Sequence, residues 1–279
     1  MQNLLGYQGK RVVVTGAASG MGEATARVVG GLGAEVVAID VKKPRLDGAR
    51  YLEVDLRDTR AIESAAAEIA RGGRIHALFN CAGLPGTSFP AVDVMQVNFV
   101  GLRHLTETCI PHMKSGDAIG SISSGAGVGY LGNMQNVKAL LAISDPAKAR
   151  AWVEEHQKDA WFEPYSFSKQ CIIVYTLHRA ASLTAETGIR INCISPGPTD
   201  TAMMPHFIKN VGKDFMERYP KPIGRNSTAE EQAWPLAFLC SPAASYVSGE
   251  NLFTDGGTCG GLMTGAIDPA IMMGGAPKK

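Results

Sequence analysis

Tyr165 and Lys169 stand four residues apart in Tyr165-Ser166-Phe167-Ser168-Lys169. If residues 165–185 are helical, that spacing sets the phenol and the ammonium on one face. A cation beside a phenol favours the phenolate and draws its pKa from about 10 toward working pH, as a proton carrier for alcohol chemistry requires. A solvated surface role for Lys169 sits poorly with its apolar neighbours Cys171, Ile172, Ile173 and Val174. Upstream, Ser124 closes Ser121-Ile122-Ser123-Ser124 and offers a hydroxyl that can hold a substrate oxygen, although serine after a strand is ordinarily turn chemistry. Neither Ser121 nor Ser123 has the glycine two residues before it that a hydrolase nucleophile elbow needs, so that reading fails.

A second group of residues reads as a nucleotide site. Thr15-Gly16-Ala17-Ala18-Ser19-Gly20-Met21-Gly22 follows the strand-like run Arg11 to Val14 and precedes an amphipathic stretch, Glu23 to Gly31. Glycines at 16, 20 and 22 permit a tight turn and let backbone N–H groups approach a pyrophosphate at a helix N-terminus. Asp40 closes the next strand, where a carboxylate accepts hydrogen bonds from ribose hydroxyls and repels a 2′-phosphate, which favours NAD over NADP. A strand-end turn is the duller reading of Asp40, and Lys42, Lys43 and Arg45 soften the discrimination. The glycine turn together with the tyrosine and lysine points to a nicotinamide-dependent oxidoreductase.

Something must bring these distant residues together. Short β-branched runs alternate with longer Ala-rich segments, the signature of βαβ units around a parallel sheet. The candidate strands are Arg11 to Thr15, Glu35 to Ile39, Arg50 to Val54, Ala77 to Asn80, Ala118 to Ile122, Arg190 to Ile194 and Asn251 to Thr254. The expected fold is α/β: a single-domain Rossmann fold over residues 1–279 with a doubly wound, seven-stranded parallel sheet. Gly16, Asp40, Asp55, Asn80, Ser124 and Pro196 then fall at or just past the carboxyl ends of strands, where such sheets bind ligands.

Composition narrows the partners. Lys and Arg number 27 against 26 Asp and Glu, without basic blocks, which argues against nucleic acid or a membrane surface and for a small-molecule ligand. The six cysteines form no Cys-x-x-Cys and no pattern with the histidines, so neither a zinc site nor a disulfide framework is expected, and a reducing cytoplasm fits. Met1 to Lys10 lacks the features of a signal peptide, and no apolar run is long enough for a membrane span.

On these residues the chain resembles the short-chain dehydrogenase/reductase family over about residues 8–258. Thr15, Gly16, Gly20 and Gly22 match its glycine motif, Asn80-Cys81-Ala82-Gly83 its Asn-x-Ala-Gly element, and Pro196-Gly197-Pro198-Thr199-Asp200-Thr201 the segment that lies against the nicotinamide. The resemblance implies a catalytic set of Asn98, Ser124, Tyr165 and Lys169. It implies cofactor contacts from Gly16, Ser19, Gly20, Met21, Gly22, Asp40, Asp55 and Leu56, from Asn80, Ala82 and Gly83, and from Pro196, Gly197, Thr199 and Thr201 with Tyr165 and Lys169. Asp55 matches an acidic residue that meets the adenine, while a helix N-cap before Leu56 is an equal reading. Asn98 either feeds a proton relay to Lys169 through a water or merely distorts a helix. A homo-oligomer, dimer or tetramer, is also implied.

Departures from the family pattern are as informative. Ser124 and Tyr165 lie about forty residues apart, where the family places about a dozen between them. The inserted segment, about 132–164, has helix-like stretches at Asn136 to Ile143 and Pro146 to Lys158 and carries Trp152, Trp161 and Phe162. It is expected to roof one side of the pocket and to change the assembly. Asn80 to Asn98 is short, which trims another rim. After Thr201 the substrate-covering segment, about 201–226, holds Met203, Met204, Phe207, Ile208, Val211, Phe215 and Met216, which suit an apolar substrate or simply pack a helix on the core. This combination resembles a subgroup handling hydroxysteroids and coniferyl-type alcohols. The expected activity is hydride transfer between NAD and a hydrophobic secondary alcohol or ketone. A primary aryl or allylic alcohol dehydrogenase, an epimerase or dehydratase that retains NAD, and a nucleotide sensor are the rivals. A sensor has no need of the complete Asn98, Ser124, Tyr165 and Lys169 set.

Overall fold

The structure, a computed structural model, describes residues 4–271 apart from residue 87. The first half alternates strand and helix: β1 (Arg11–Thr15), α1 (Gly20–Gly31), β2 (Glu35–Asp40), β3 (Arg50–Glu53), α2 (Thr59–Arg71), β4 (Ala77–Asn80) and α3 (Ala91–Met95). A π-helical turn, Gln96–Val100, leads into α4 (Gly101–Cys109) and β5 (Ala118–Ile122). A 3₁₀ stretch, Gly125–Asn133, then opens the inserted lobe of α5 (Met134–Leu141) and α6 (Pro146–His156) before α7 (Pro164–Thr187) and β6 (Arg190–Pro196). The remainder comprises β7 (Thr199–Asp200), α8 (Met204–Val211), α9 (Lys213–Arg218), β8 (Ser227–Thr228), α10 (Ala229–Leu239), β9 (Asn251–Thr254) and α11 (Thr258–Thr264). Of the Gly/Met-rich tail, residues 272–279 lie outside the described region.

Seven strands form one sheet in the order β3-β2-β1-β4-β5-β6-β9, every pair parallel. The seven expected strands are all present; β2 and β6 each run further than expected, to Asp40 and Pro196. The ribbon of β7 and β8 stands apart from the sheet and had no signal in strands of only two residues each. Alternation along each strand feeds two cores. Val13, Val37, Leu78 and Ile119 pack toward α2, α4 and α7, while Val12, Val14, Val36 and Phe79 pack toward α1 and α10. The order reverses between β1 and β4, and the crevice at that switch point is where a doubly wound sheet holds its ligand.

Helix α7 carries Tyr165 and Lys169, and its start is well defined. Glu163 caps it through bonds from the Tyr165 N–H (3.2 Å) and the Ser166 N–H (2.6 Å), and Pro164 occupies the first turn. Gly188, in the left-handed conformation at φ 72°, closes it. From Phe167 to Thr176 every residue except Gln170 is buried, a burial on all sides that the sheet alone cannot supply.

The inserted lobe supplies the other side. Val137 and Leu140 of α5 and Ala149 and Val153 of α6 are fully buried in the core shared with Phe167 and Cys171. Trp152, Trp161 and Phe162 surround the Phe167 ring at centroid distances of 6.0, 5.1 and 5.3 Å. Arg103 of α4 is buried beneath the lobe and donates to the carbonyls of Leu140, Leu141 and Ile143, closing the end of α5 while lying over the Phe99 ring. The lobe therefore covers the flanks of α4 and α7.

Candidate active site

The nucleotide edge is shaped by what backbone can do without side chains. Gly16 and Gly20 have φ of 67° and 58°. A Cβ on Gly22 would stand 2.1 Å from the Gly16 carbonyl oxygen, and one on Gly16 would stand 2.7 Å from Ala82 Cα, so only glycine fits either place. Thr15 fastens the turn to the next strand end, its hydroxyl accepting from the Cys81 and Ala82 N–H groups at 3.0 and 3.1 Å. Ser19 is exposed at the helix start with no capping bond, and Met21 packs partly on the core. Asp40 is held over the turn, one carboxylate oxygen accepting from Ala18 N–H and the other from Lys42 N–H, both at 3.0 Å.

The helix cap read as one option for Asp55 belongs to a neighbouring carboxylate. Asp58, not Asp55, caps α2. Asp55 is turned to Arg57, which also reaches Asp93, and this guanidinium holds the Asp55 carboxyl below the usual range. Two expected cofactor residues point away from the edge. Asn80 is buried and donates to Thr106 Oγ1 (2.9 Å) and Ser121 Oγ (3.2 Å), tying β4 to α4 and β5, and Leu56 packs in the core. Only the backbone of these two can reach a ligand.

Across the edge lies the other wall of the cofactor cradle. The Gly197 N–H donates to the Thr254 carbonyl, and a Cβ on Gly197 would press on Asp255 at 3.0 Å, which holds the Pro196-Gly197 turn close to the segment after β9. Thr199 is buried between the Gly197 carbonyl and Ser227 Oγ. Thr201 faces the glycine turn: its Cβ lies 3.6 Å from where a Gly20 side chain would begin. The donors, the side-chain-free turn and Asp40 fit a dinucleotide laid along this edge.

The catalytic group assembles where β5 meets α7. Ser124, in extended conformation just past β5, lies near enough to the Tyr165 phenol to draw its pKa down, and its Oγ accepts from Ala126 N–H at 3.2 Å. Lys169 Nζ lies 5.5 Å from the Tyr165 ring centroid and donates to the Ile122 carbonyl at 2.9 Å. Ser123 Oγ donates to the Lys169 carbonyl (2.8 Å), so β5 grips the helix directly beneath the lysine. Asn98 lies in the π-helical turn and is fully buried, so the expected distortion is real. Its side chain clasps the Leu84 backbone from both sides (2.6 and 3.0 Å) and donates to Ser168 Oγ at 3.2 Å. Gly83 leaves open the space between Asn98 and Lys169: a Cβ there would meet Asn98 Oδ1 at 3.6 Å and Lys169 Nζ at 3.8 Å.

The electrostatics correct one expectation. Burial pushes the Tyr165 phenol up to about 12, with Glu163 adding to the rise and the Ser124 hydrogen bond opposing it. Burial also brings the Lys169 ammonium down to about 8. Low-dielectric surroundings dominate both shifts, because each charged form loses its water.

The mouth is covered by the segment after Thr201. Phe207 of α8 packs edge-on against the Tyr165 ring at 5.0 Å, and His206 Nδ1 shares a hydrogen bond of 2.6 Å with Ser88 Oγ across the opening. Gly86 presses on the start of α7, where a Cβ would come within 3.0 Å of Tyr165 Cβ. The inserted lobe flanks the catalytic helix, and α8 is the element laid on Tyr165. Sequence reading missed Arg103 and the Glu163 cap. An acidic residue just before an N-terminal proline was the one available signal for the cap, and Arg103 left none.

Comparison with known proteins agrees with this geometry. Residues 10–136 match the family described as short chain dehydrogenase, and residues 154–259 one described as enoyl-(acyl carrier protein) reductase; the stretch between falls in the inserted lobe. The chain is 32% identical to a coniferyl-alcohol dehydrogenase of Pseudomonas sp. (strain HR199 / DSM 7063) over 89% of its own length and 96% of the relative's. It is 32% identical to a 3-alpha-hydroxysteroid dehydrogenase/carbonyl reductase of Comamonas testosteroni over 88% of its length and 95% of the relative's. The crystal structure of a 3-alpha-hydroxysteroid dehydrogenase from Pseudomonas sp. B-0831 complexed with NADH superimposes with a TM-score of 0.79 at 26% identity, covering 93% of this chain and all of that one. The chain belongs to the short-chain dehydrogenase/reductase family. It is an oxidoreductase that acts on CH–OH groups with a nicotinamide cofactor. No helix among the described residues is long and apolar enough to cross a membrane.

Proposed function

We propose that this enzyme uses NAD to interconvert a hydrophobic secondary alcohol and its ketone, the alcohol being a hydroxysteroid, a terpenoid or an aromatic alcohol. The observation that carries the reading is the position of Lys169 Nζ, 5.5 Å from the Tyr165 ring centroid and one helical turn along the same face, with the Ser124 hydroxyl near enough to draw the phenol pKa down. Bound nicotinamide accepts or supplies the hydride. Tyr165 takes the hydroxyl proton in oxidation and returns it in reduction. Ser124 holds the substrate oxygen against that phenol. Lys169 lies close enough to favour the phenolate, and the clasp of Asn98 on Leu84 keeps the loop beside it in place.

Preference for NAD rests on Asp40, whose fixed carboxylate stands at the end of β2 where a 2′-phosphate would meet like charge. The NADH complex of the structural relative is in keeping with it. Apolar substrates suit the Phe207, Met203 and Met204 side of the mouth. A primary aryl or allylic alcohol is a second reading, favoured by the 32% identity to a coniferyl-alcohol dehydrogenase. The cradle contacts expected from Gly16, Gly20, Gly22, Ala82, Gly83, Pro196, Gly197, Thr199 and Thr201 belong to the same proposal.

Assembly as a homo-oligomer is part of the reading. The lobe covers the outer flanks of α4 and α7, so association uses another face. Six free cysteines, all but Cys81 buried, suit the cytoplasm. The test is a panel of steroid, terpenoid and aryl alcohols followed by NADH absorbance, with NADP in parallel. No reduction of either cofactor by any member would refute the proposal.

A further inference from the structure

The far end of the substrate loop brings a second phenol to the catalytic edge. Tyr219 directly follows α9, and its hydroxyl lies 3.6 Å from the point where a Cβ on Gly125 would stand. The Pro196 carbonyl oxygen is at the same distance from that point and the Cys259 thiol at 3.5 Å. Gly125 adjoins Ser124, and Pro196 begins the turn expected to lie against the nicotinamide. A side chain at 125 would fill the very space these groups surround.

The placement of Tyr219 is built rather than incidental. Thr258 donates to the Pro220 carbonyl at 2.9 Å, and the Asp255 carboxylate accepts from the Gly257 and Cys259 N–H groups at 2.9 and 2.6 Å. These bonds pin the residue after Tyr219 to the start of α11. The Phe215 ring flanks the phenol at 6.1 Å. Burial, with Cys259 and Asp255 nearby, pushes the phenol up to about 12, so at neutral pH it is a donor. Among the described residues that donor has no hydrogen-bond acceptor. A half-buried donor that faces a reaction site and is spent on nothing in the protein is a recognition group in waiting.

We propose that Tyr219 is a substrate-recognition residue, donating a hydrogen bond to a second oxygen of the substrate. The preferred substrate is then an alcohol or ketone that carries a further hydroxyl, ether or carbonyl oxygen away from the reacting carbon. The proposal rests on the dehydrogenase reading and names the substrate class within it.

The test uses two alcohols of equal carbon bulk, one with a distal methoxy or hydroxyl group and one with an alkyl group in its place. Wild type and Tyr219→Phe are compared for kcat and KM with NAD. The variant keeps the ring and loses only the donor. It is expected to lose about threefold to tenfold in kcat/KM on the oxygenated alcohol, mainly through KM, as removal of one neutral hydrogen bond predicts. On the alkyl alcohol it should match the wild type, and its NAD affinity and melting temperature should not move. Equal losses on both alcohols would make Tyr219 a packing residue, and no loss on either would leave it without a role in recognition; each result overturns the proposal. Turnover of the alkyl alcohol by the wild type upholds the dehydrogenase reading independently, whereas a wild type inactive on both alcohols removes that reading and this inference with it.

Discussion

The turn between β1 and α1 and the segment between β7 and β8 flank the same crevice and are made in opposite ways. The first is shaped by absent side chains: a methyl group at Gly22 or Gly16 would collide with backbone. The second is shaped by side chains that are present. Neither α8 nor α9 has a side-chain cap, and α8 meets the catalytic edge through Phe207 on Tyr165 and His206 on Ser88. A site assembled from these two halves grips the invariant part of its chemistry with rigid backbone. The variable part is met by a lightly tied segment, as loops that open for ligands must be.

The sharpest way to break this division is at the residue both halves serve. Tyr165→Phe should lower kcat by about 10² to 10⁴ while NAD binding, read by fluorescence titration, stays near wild type. A variant keeping more than a tenth of wild-type kcat would remove Tyr165 from proton transfer. On the nucleotide side, Gly22→Ala should cost about 3 kcal/mol of stability in a denaturant melt and abolish measurable NAD binding, because the carbonyl of Gly16 has nowhere to go. Intact NAD affinity would show that the turn yields more easily than its contacts indicate.

Lys169 links the halves through its charge. Its folded pKa of about 8 lies below the ordinary lysine value of 10.5, so the folded state binds fewer protons than the unfolded chain between those limits. Wild-type stability should accordingly rise with pH from about 8 to 10.5, and the burden of the buried cation is greatest below that window. Lys169→Met removes the charge and also the bond to Ile122. The net gain at neutral pH should be about 2 kcal/mol, fading as pH rises above about 8 and gone by about pH 10, with activity lost. An equal offset at every pH would mean the lysine is folded without a charge penalty.

Smaller effects separate cofactor from substrate. Asp40→Ala should weaken NAD by about tenfold, leave NADP little changed and so narrow the preference in kcat/KM. Equal wild-type kcat/KM for the two cofactors would shift the assignment to Lys42 or Arg45. Phe207→Ala should raise KM for bulky alcohols by about fivefold without touching NAD affinity, since it removes an aromatic contact at the mouth only. A matching loss of NAD affinity would show that α8 orders the nucleotide side as well.

Legibility from sequence followed the range of the physics. Strands, the glycine turn and the four-residue spacing of Tyr165 and Lys169 are local patterns, and each appears where periodicity and turn chemistry put it. Asp55 and Asp58 show the limit: both precede α2, and Asp58 caps it because the helix begins at Thr59, while Asp55 pairs with Arg57. Asn80 shows it again, since its inward turn is set by Thr106 and Ser121 on other elements.

By itself the sequence determined a parallel α/β sheet with a dinucleotide turn and a tyrosine–lysine helix, because glycine φ freedom, strand alternation and helical spacing act over a few residues. Only the tertiary structure decided that Lys169 loses its solvent while Tyr165 rises with it, and that Arg103 closes the end of α5. It also chose Phe207, among the apolar side chains of the substrate-covering segment, to lie edge-on against the catalytic phenol. Those outcomes depend on desolvation and contact among segments far apart in the chain, and no spacing within one segment encodes them.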